Sequence, residues 1–216
     1  MLIEMVSLAT TVLAGCQREF DGQPGVGVLE SLMLPMRDGV KLHTNIISKT
    51  NRTKRVPTVI DRSPYGSEAT ELIADIYSAL GDYVAIGQDM RGTCKSEGNF
   101  SIWRLDGLDS YDTMEWIAQQ PWSNGQIHTV GASADGIAEF VIIKEQPKWL
   151  VSQFEIFATI DARTTIYPGG AYHHSLVDGW LKGTVGAQAP GNIAGELQHR
   201  MPYTLWHSGS LAFHLV

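Results

Sequence analysis

The stretch Gly131-Ala132-Ser133-Ala134-Asp135-Gly136 surrounds a serine with small residues. It follows the apolar run Ile127 to Val130, which reads as a strand, and it leads into a segment that reads as helical from Ala134 onward. A serine at such a sharp strand-to-helix turn, a nucleophile elbow, sits on strained backbone that tolerates only small neighbours. Gly131 and Gly136 meet that need. The turn exposes the hydroxyl at the carboxyl end of a sheet. It also places the Ala134 backbone N–H where it can face a developing oxyanion. The chemistry would be attack by Ser133 on an ester or amide carbonyl through an acyl-enzyme. The spacing departs from Gly-x-Ser-x-Gly, because Asp135 stands at the second glycine position and the glycine comes one place later. The competing reading is a serine that merely caps the helix.

A serine hydroxyl needs a base, and none of the seven histidines supplies one on sequence grounds. His43 and His128 fall on strand-like runs. His173, His174 and His199 lie in the glycine-rich region that follows the last strand. His207 and His214 could serve only if the terminal segment folded back. No carboxylate or cysteine at ligand spacing accompanies the His173-His174 pair, so neither a metal nor a cofactor is expected.

The elements that would position Ser133 follow from periodicity. Val56 to Ile60, Tyr83 to Ile86, Ile127 to Val130 and Phe154 to Ile160 read as parallel strands buried on both faces. Between them lie helical patterns over Glu68 to Leu80 (Leu72, Ile73, Ile76, Tyr77 and Leu80 as the stripe) and Leu108 to Ala118. A third helix begins after Ser133 and closes on Val141, Ile142 and Ile143. Ahead of them, Val28 to Leu34 and Val40 to Ile47 flank Met36-Arg37-Asp38-Gly39, which reads as a β-hairpin. The expected fold is α/β, a doubly wound and mostly parallel sheet with an antiparallel N-terminal hairpin, followed by the beginning of a helical cap. Residues 1–27 read as a signal-like or flexible segment, 28–165 as an incomplete hydrolase-type core, and 166–216 as the start of the cap.

Composition narrows the function classes. A net charge of −7 over 216 residues argues against nucleic acid, and no apolar run is long enough to span a membrane. Val6 to Gly15 is signal-like, and Leu13-Ala14-Gly15-Cys16 has the form of a lipoprotein cleavage box. Export is therefore expected, although a basic segment before the apolar run is missing. Cys16 and Cys94, far apart in sequence, are not expected to form a disulfide framework or a metal site.

Several further motifs occur in a fixed order. They are Met36-Arg37-Asp38-Gly39-Val40-Lys41-Leu42, Asp61-Arg62-Ser63-Pro64-Tyr65-Gly66, and Asp89-Met90-Arg91-Gly92 followed by Ser96-Glu97-Gly98. Asp109 to Trp122 with Ser123-Asn124-Gly125 comes next, and then Tyr167-Pro168-Gly169-Gly170-Ala171. From Leu34 to about Trp180 the chain thereby resembles the α/β-hydrolases that include cocaine esterase, X-prolyl dipeptidyl peptidase and α-amino-acid ester hydrolase. The resemblance implies that Ser133 is the acylated nucleophile, and that the Tyr65 hydroxyl and the Ala134 N–H bind the oxyanion. It implies structural roles for Asp89 and Arg91, and core positions for Trp116 and Trp122. The substrate would be a small ester or a peptide-like amide, X-prolyl bonds among them.

Two departures stand out. Ala134 occupies a position that is commonly aromatic in that family, so the site would lose one ring. The family's catalytic acid and histidine follow the cap, past Val216, which leaves the triad unidentified here. The alternative function is then a catalytically incomplete hydrolase-like domain retained for binding or assembly. Its open sheet edge would be covered by self-association or by a partner chain.

Overall fold

The computed structural model describes residues 28–48, 54–67, 73, 76, 77 and 80–184. The signal-like segment with Cys16, Leu72 of the first helical stripe, and His199, His207 and His214 lie outside them. Six strands form one mixed sheet: β1 (Val28–Pro35), β2 (Lys41–Ser48), β3 (Val56–Ser63), β4 (Val84–Asp89), β5 (Ser123–Ala132) and β6 (Leu150–Ile156), in the order β1-β2-β4-β3-β5-β6. The first two pair as an antiparallel hairpin. Its turn closes with Met36 and Val40 hydrogen-bonded and Gly39 at φ 87°, a backbone that favours glycine. From β4 to β6 every neighbour is parallel. Helix α1 (Asp106–Ala118) precedes β5, and α2 (Ala134–Phe140) follows it and tightens into a 3₁₀ turn over Val141–Glu145. Beyond β6 come α3 (Ala162–Ile166) and α4 (His174–Thr184).

Apolar residues of β3, β4 and β5 meet those of α1 in one of the main parts of the core, through Ile60, Ile86, Ile127, Met114, Ile117 and Trp122. Trp116 and Trp122 pack edge to face at 6.5 Å, both against this core, as expected. Of the first helical stripe, Ile73 is buried while Ile76 and Leu80 are exposed.

The last strand corrects the sequence reading. It spans Leu150–Ile156 and not Phe154 to Ile160, and it is not buried on both faces: Phe154 is 63% exposed and Phe157 94%. The reason lies upstream. Gln146 at φ 48° ends the 3₁₀ turn, and a further turn closed by the Leu150 N–H on the Pro147 carbonyl starts the strand at Leu150, so the apolar run from Phe154 begins in mid-strand and continues past its end. Among the described residues β6 is the outermost strand, and its apolar side chains have no neighbouring strand to cover them. Cysteine chemistry also differs from expectation. Cys94 is disulfide-bonded, since distance in space and not separation in sequence decides whether two thiols meet.

Charged residues of the motifs fasten the layers together. Arg62 on β3 is fully buried. Its Nε donates to Gln88 Oε1 at 2.8 Å, and Nη1 donates to the Asp106 carbonyl at 3.0 Å and to Ser110 Oγ at 2.7 Å. Nη2 donates to Asp106 Oδ1 at 3.3 Å. Next to it Arg91 forks onto Asp109, at 2.9 and 2.6 Å, and onto Asp38 of the hairpin turn, at 2.8 and 3.2 Å. Arg37 grips Asp112 of α1 in the same two-pronged way. Asp89 receives the N–H groups of Ser67 and Lys95 at 2.6 and 3.0 Å, which ties the loops after β3 and β4 together. Removing the Arg62 guanidinium would strand several buried acceptors at once. Arg62→Ala should lose about 3–5 kcal/mol in denaturant unfolding; a loss under about 1 kcal/mol would show that the network carries no such weight.

Candidate active site

Ser133 is the first residue past β5 and has φ 60° and ψ −119°, outside both the helical and the extended regions. For a residue with a Cβ this conformation is costly, and such strain clusters where function demands it. Close packing makes the turn possible only with glycine on both sides. A Cβ on Gly131 would stand 2.7 Å from the Gly136 nitrogen, and one on Gly136 would stand 2.6 Å from the Ala158 Cβ. The turn is held from outside by the Ser133 N–H, which donates to the Ile156 carbonyl of β6 at 3.0 Å. The Ser133 side chain makes no capping bond to α2, which removes the main argument for the helix-cap reading. Its hydroxyl is exposed, and Ala134 beside it is buried.

Tyr65 lies on the loop that leaves β3, its N–H donating to Ser63 Oγ at 3.0 Å. The phenol is hydrogen-bonded to the Ser133 hydroxyl and also accepts the Trp180 indole N–H at 2.8 Å. The structure therefore brings Ser133, Ala134 and Tyr65 to one place. Burial pushes the phenol above its ordinary value, helped by the nearby negative charge of Asp135. The O–H keeps its proton and stays a neutral donor.

Sequence reasoning missed the rings around this place. Trp103 donates its indole N–H to the Ala134 carbonyl at 3.2 Å, and it stacks on Trp180 of α4 with centroids 5.5 Å apart and planes 14° from parallel. Phe100 leans on Trp180 at 6.0 Å. The ring expected to be lost at position 134 is thus supplied from another loop. Nothing in the sequence signalled this, since Trp103 and Trp180 belong to no motif.

Four carboxyl groups lie behind the turn. Asp61, Asp135, Glu139 and Glu155 influence one another electrostatically, and each keeps one buried oxygen without a hydrogen-bond partner. Burial raises all four, to about 7 for Asp61 and for Glu155. The Arg62 charge opposes the rise at Asp61 and Glu139. A Ser63 hydrogen bond opposes it at Asp135, and a Thr129 hydrogen bond of 2.7 Å at Glu155. A protonated carboxyl gains an O–H donor, so neutral forms can satisfy one another where four anions could not. The sequence hid them: Glu139 and Glu155 sit in otherwise apolar stretches, and Asp135 registered only as a departure in spacing.

A second group has the residue types of a catalytic triad without its wiring. Ser67 Oγ lies 3.3 Å from His43 Nδ1, and Asp89 Oδ2 lies 3.2 Å from the same nitrogen. A triad needs the acid on one ring nitrogen and the serine on the other, so this is a structural cluster. Of the other described histidine rings, His128 bonds to Ser152 and His174 to Asp178.

The carboxyl group of Glu155 sets a pH dependence. Its folded value of about 7 lies above the ordinary 4.5, so the proton is bound more tightly in the folded chain. The corresponding stability is fully present below about pH 4.5 and is lost as pH rises through about 7. Thermal melts should give a midpoint ~5 °C higher at pH 5.5 than at pH 8. Glu155→Gln, which keeps an acceptor for Thr129, should shrink that difference by raising the midpoint at pH 8. A variant with the wild-type pH dependence would remove Glu155 from the cause.

Comparison with known proteins places this geometry. The profile described as X-Pro dipeptidyl-peptidase (S15 family) matches residues 38–203. Cocaine esterase of Rhodococcus sp. (strain MB1 Bresler) is 29% identical over 160 residues, which covers 71% of this chain and 28% of the esterase. Among solved structures, an α-amino acid ester hydrolase superposes with a TM-score of 0.51 at 27% identity, over 63% of this chain and 27% of that one. A hypothetical protein from Pseudomonas aeruginosa, at 17% identity and TM-score 0.54, covers 70% of this chain and 49% of its own, and supports the fold alone. The chain thus spans about 28% of the length of the curated relatives it matches. With the α/β-hydrolase sheet in place and the profile running through nearly all of it, the chain belongs to the X-Pro dipeptidyl-peptidase (S15) family.

Proposed function

We propose that Ser133 is the nucleophile of a serine hydrolase that cleaves ester or amide bonds, X-prolyl peptide bonds among the candidates. The observation that carries the reading is the strained Ser133 backbone, with its hydroxyl uncommitted to the helix and bonded to the Tyr65 phenol. In this reading the turn is a nucleophile elbow. Ser133 Oγ attacks the carbonyl carbon, its proton passes to a base, and the oxygen left with the charge accepts bonds from the Tyr65 O–H and the Ala134 N–H. Collapse of the tetrahedral intermediate expels the alcohol or amine, which takes a proton, and water then releases the acid. The base is a histidine paired with an acid, placed after the cap by the family resemblance. The esterase and ester-hydrolase relatives support an acyl substrate. The Cys94 disulfide suits an oxidising compartment and so supports export.

A fluorophosphonate probe on the full-length protein that contains this chain should label wild type and not Ser133→Ala. Tyr65→Phe should lower kcat by ~10²–10³-fold with KM little changed. Labelling that survives Ser133→Ala would overturn the assignment.

The second reading, a catalytically incomplete domain, draws on two observations. No described histidine ring has Ser133 as a hydrogen-bond partner, and β6 presents Val151, Phe154 and Ile156 to solvent. Residues 1–216 alone should then hydrolyse esters ~10⁴–10⁶-fold more slowly than a form with its base. They should also self-associate through the β6 edge, as measured by light scattering. A monomeric, fast enzyme would mean that a histidine outside the described residues, His207 or His214, reaches Ser133.

A further inference from the structure

We propose that Trp103 and Trp180 are paired positioning residues that hold the two oxyanion donors, Tyr65 and Ala134, in fixed relation to each other. This inference rests on the acyl-transfer reading of the site. One indole bonds the first donor itself, and the other bonds the residue that carries the second, at the carbonyl one peptide beyond the donor N–H. Trp180 gives its N–H to the Tyr65 oxygen at 2.8 Å, and Trp103 gives its N–H to the Ala134 carbonyl at 3.2 Å. The two rings then lie flat on each other, 5.5 Å between centroids and 14° from parallel. A continuous chain of contacts therefore runs from the phenol through the two indoles to the backbone of Ala134, the residue that carries the second donor. The stacked pair favours one arrangement of the two rings, and oxyanion donors contribute only if their geometry is set before the charge develops.

The bond to Tyr65 also bears on how the phenol can act. A phenol oxygen that accepts the Trp180 N–H keeps a second acceptor position and its own O–H, and the Ser133 hydroxyl is a further hydrogen-bond partner. The phenol proton can therefore be turned toward a developing oxyanion without breaking the bond to Trp180. Donation to the phenol oxygen polarises the O–H, so the donor that faces substrate is made stronger as well as better aimed. The backbone under Trp103 gives independent support. Ile102 and Trp103 stand at φ 47° and 56°, the left-handed region where a β-branched isoleucine is a genuine outlier. The loop tolerates two strained residues in succession to bring this ring over Ala134, and such strain points to function. Trp180 belongs to α4, so the arrangement ties the helical segment after β6 to the centre of the site.

Trp180→Phe keeps a ring in the stack but removes the N–H together with part of the bicyclic ring. In the full-length protein it should slow fluorophosphonate labelling of Ser133 about tenfold. In a Tyr65→Phe background the same change should have no further effect, because its route to the reaction is gone. An additive loss in the double variant would reveal ordinary packing and overturn the proposal. A second readout does not need the nucleophile. With 3-fluorotyrosine at position 65, the ionisation midpoint read by ¹⁹F NMR should rise by ~0.5 pH unit or more in Trp180→Phe, since the phenolate loses a donor. If Ser133 is never labelled, the acyl-transfer reading fails, while this titration still decides whether Trp180 holds Tyr65. Should Trp180→Phe fail to fold, benzothienylalanine at 180 preserves the bicyclic shape without the N–H. An unchanged midpoint with either substitution would sink the inference.

Discussion

The buried guanidinium of Arg62 is the interaction on which the rest of the structure depends. A charge taken fully out of water must be met by acceptors on all sides, and here they come from two elements. Gln88 is on β4, and Asp106 and Ser110 are on α1. Satisfying one side chain thus fixes the distance of α1 from the sheet. The same residue's backbone N–H reaches Glu139 Oε1 of α2 at 2.8 Å, so the helix that follows Ser133 is anchored to the strand that leads to Tyr65. Burial lifts Asp106 to about 6, with Arg62 opposing it. The pair is therefore held together near neutrality by mutual need more than by any large net gain.

Around this centre the molecule places its costs close to the serine. The Ser133 backbone is strained, Gly131 and Gly136 admit no side chain, and four carboxyl groups crowd behind the turn. None of these features favours folding. Each is tolerated because the parallel strands on both sides and the Arg62–Arg91 network over-determine the local geometry. A turn held that firmly cannot relax into an ordinary helix start, so the serine hydroxyl stays out of the capping role and faces the phenol.

The order of the elements was legible in the sequence because apolar runs and helical stripes carry it locally. Val56, Val84 and Ile127 mark buried strands, and the Asp-Gly turn marks the hairpin. Ser133 and Tyr65 were legible as candidates through motif and resemblance. What failed had non-local causes. The run from Phe154 to Ile160 is as apolar as a central strand, but apolarity does not say whether a neighbouring strand exists to cover it. Glu139 and Glu155 carry no signal in the sequence, and only the fold brings them together behind the turn. The Trp180–Tyr65 bond spans 115 positions, and no pattern in either segment announces the other.

Trp180 also bears on how substrate specificity and catalysis are joined in this protein. The segment after β6 folds as helices separated by Gly169 and Gly170, both at positive φ, which allows it to turn back over the sheet's carboxyl edge. Val177 and Leu181 of α4 are buried in the same cluster as Ala134 and Ile137 of α2, so α4 is seated on the helix that carries the candidate oxyanion amide. A substrate that displaced α4 would pull the Trp180 N–H from Tyr65 and weaken the phenol as a donor. One that fitted beneath α4 would leave the indole stack intact. If Ser133 is acylated as proposed, discrimination by the segment above the site would register in the rate of acyl transfer and not only in binding, because a helix that covered bound substrate would also hold the phenol donor.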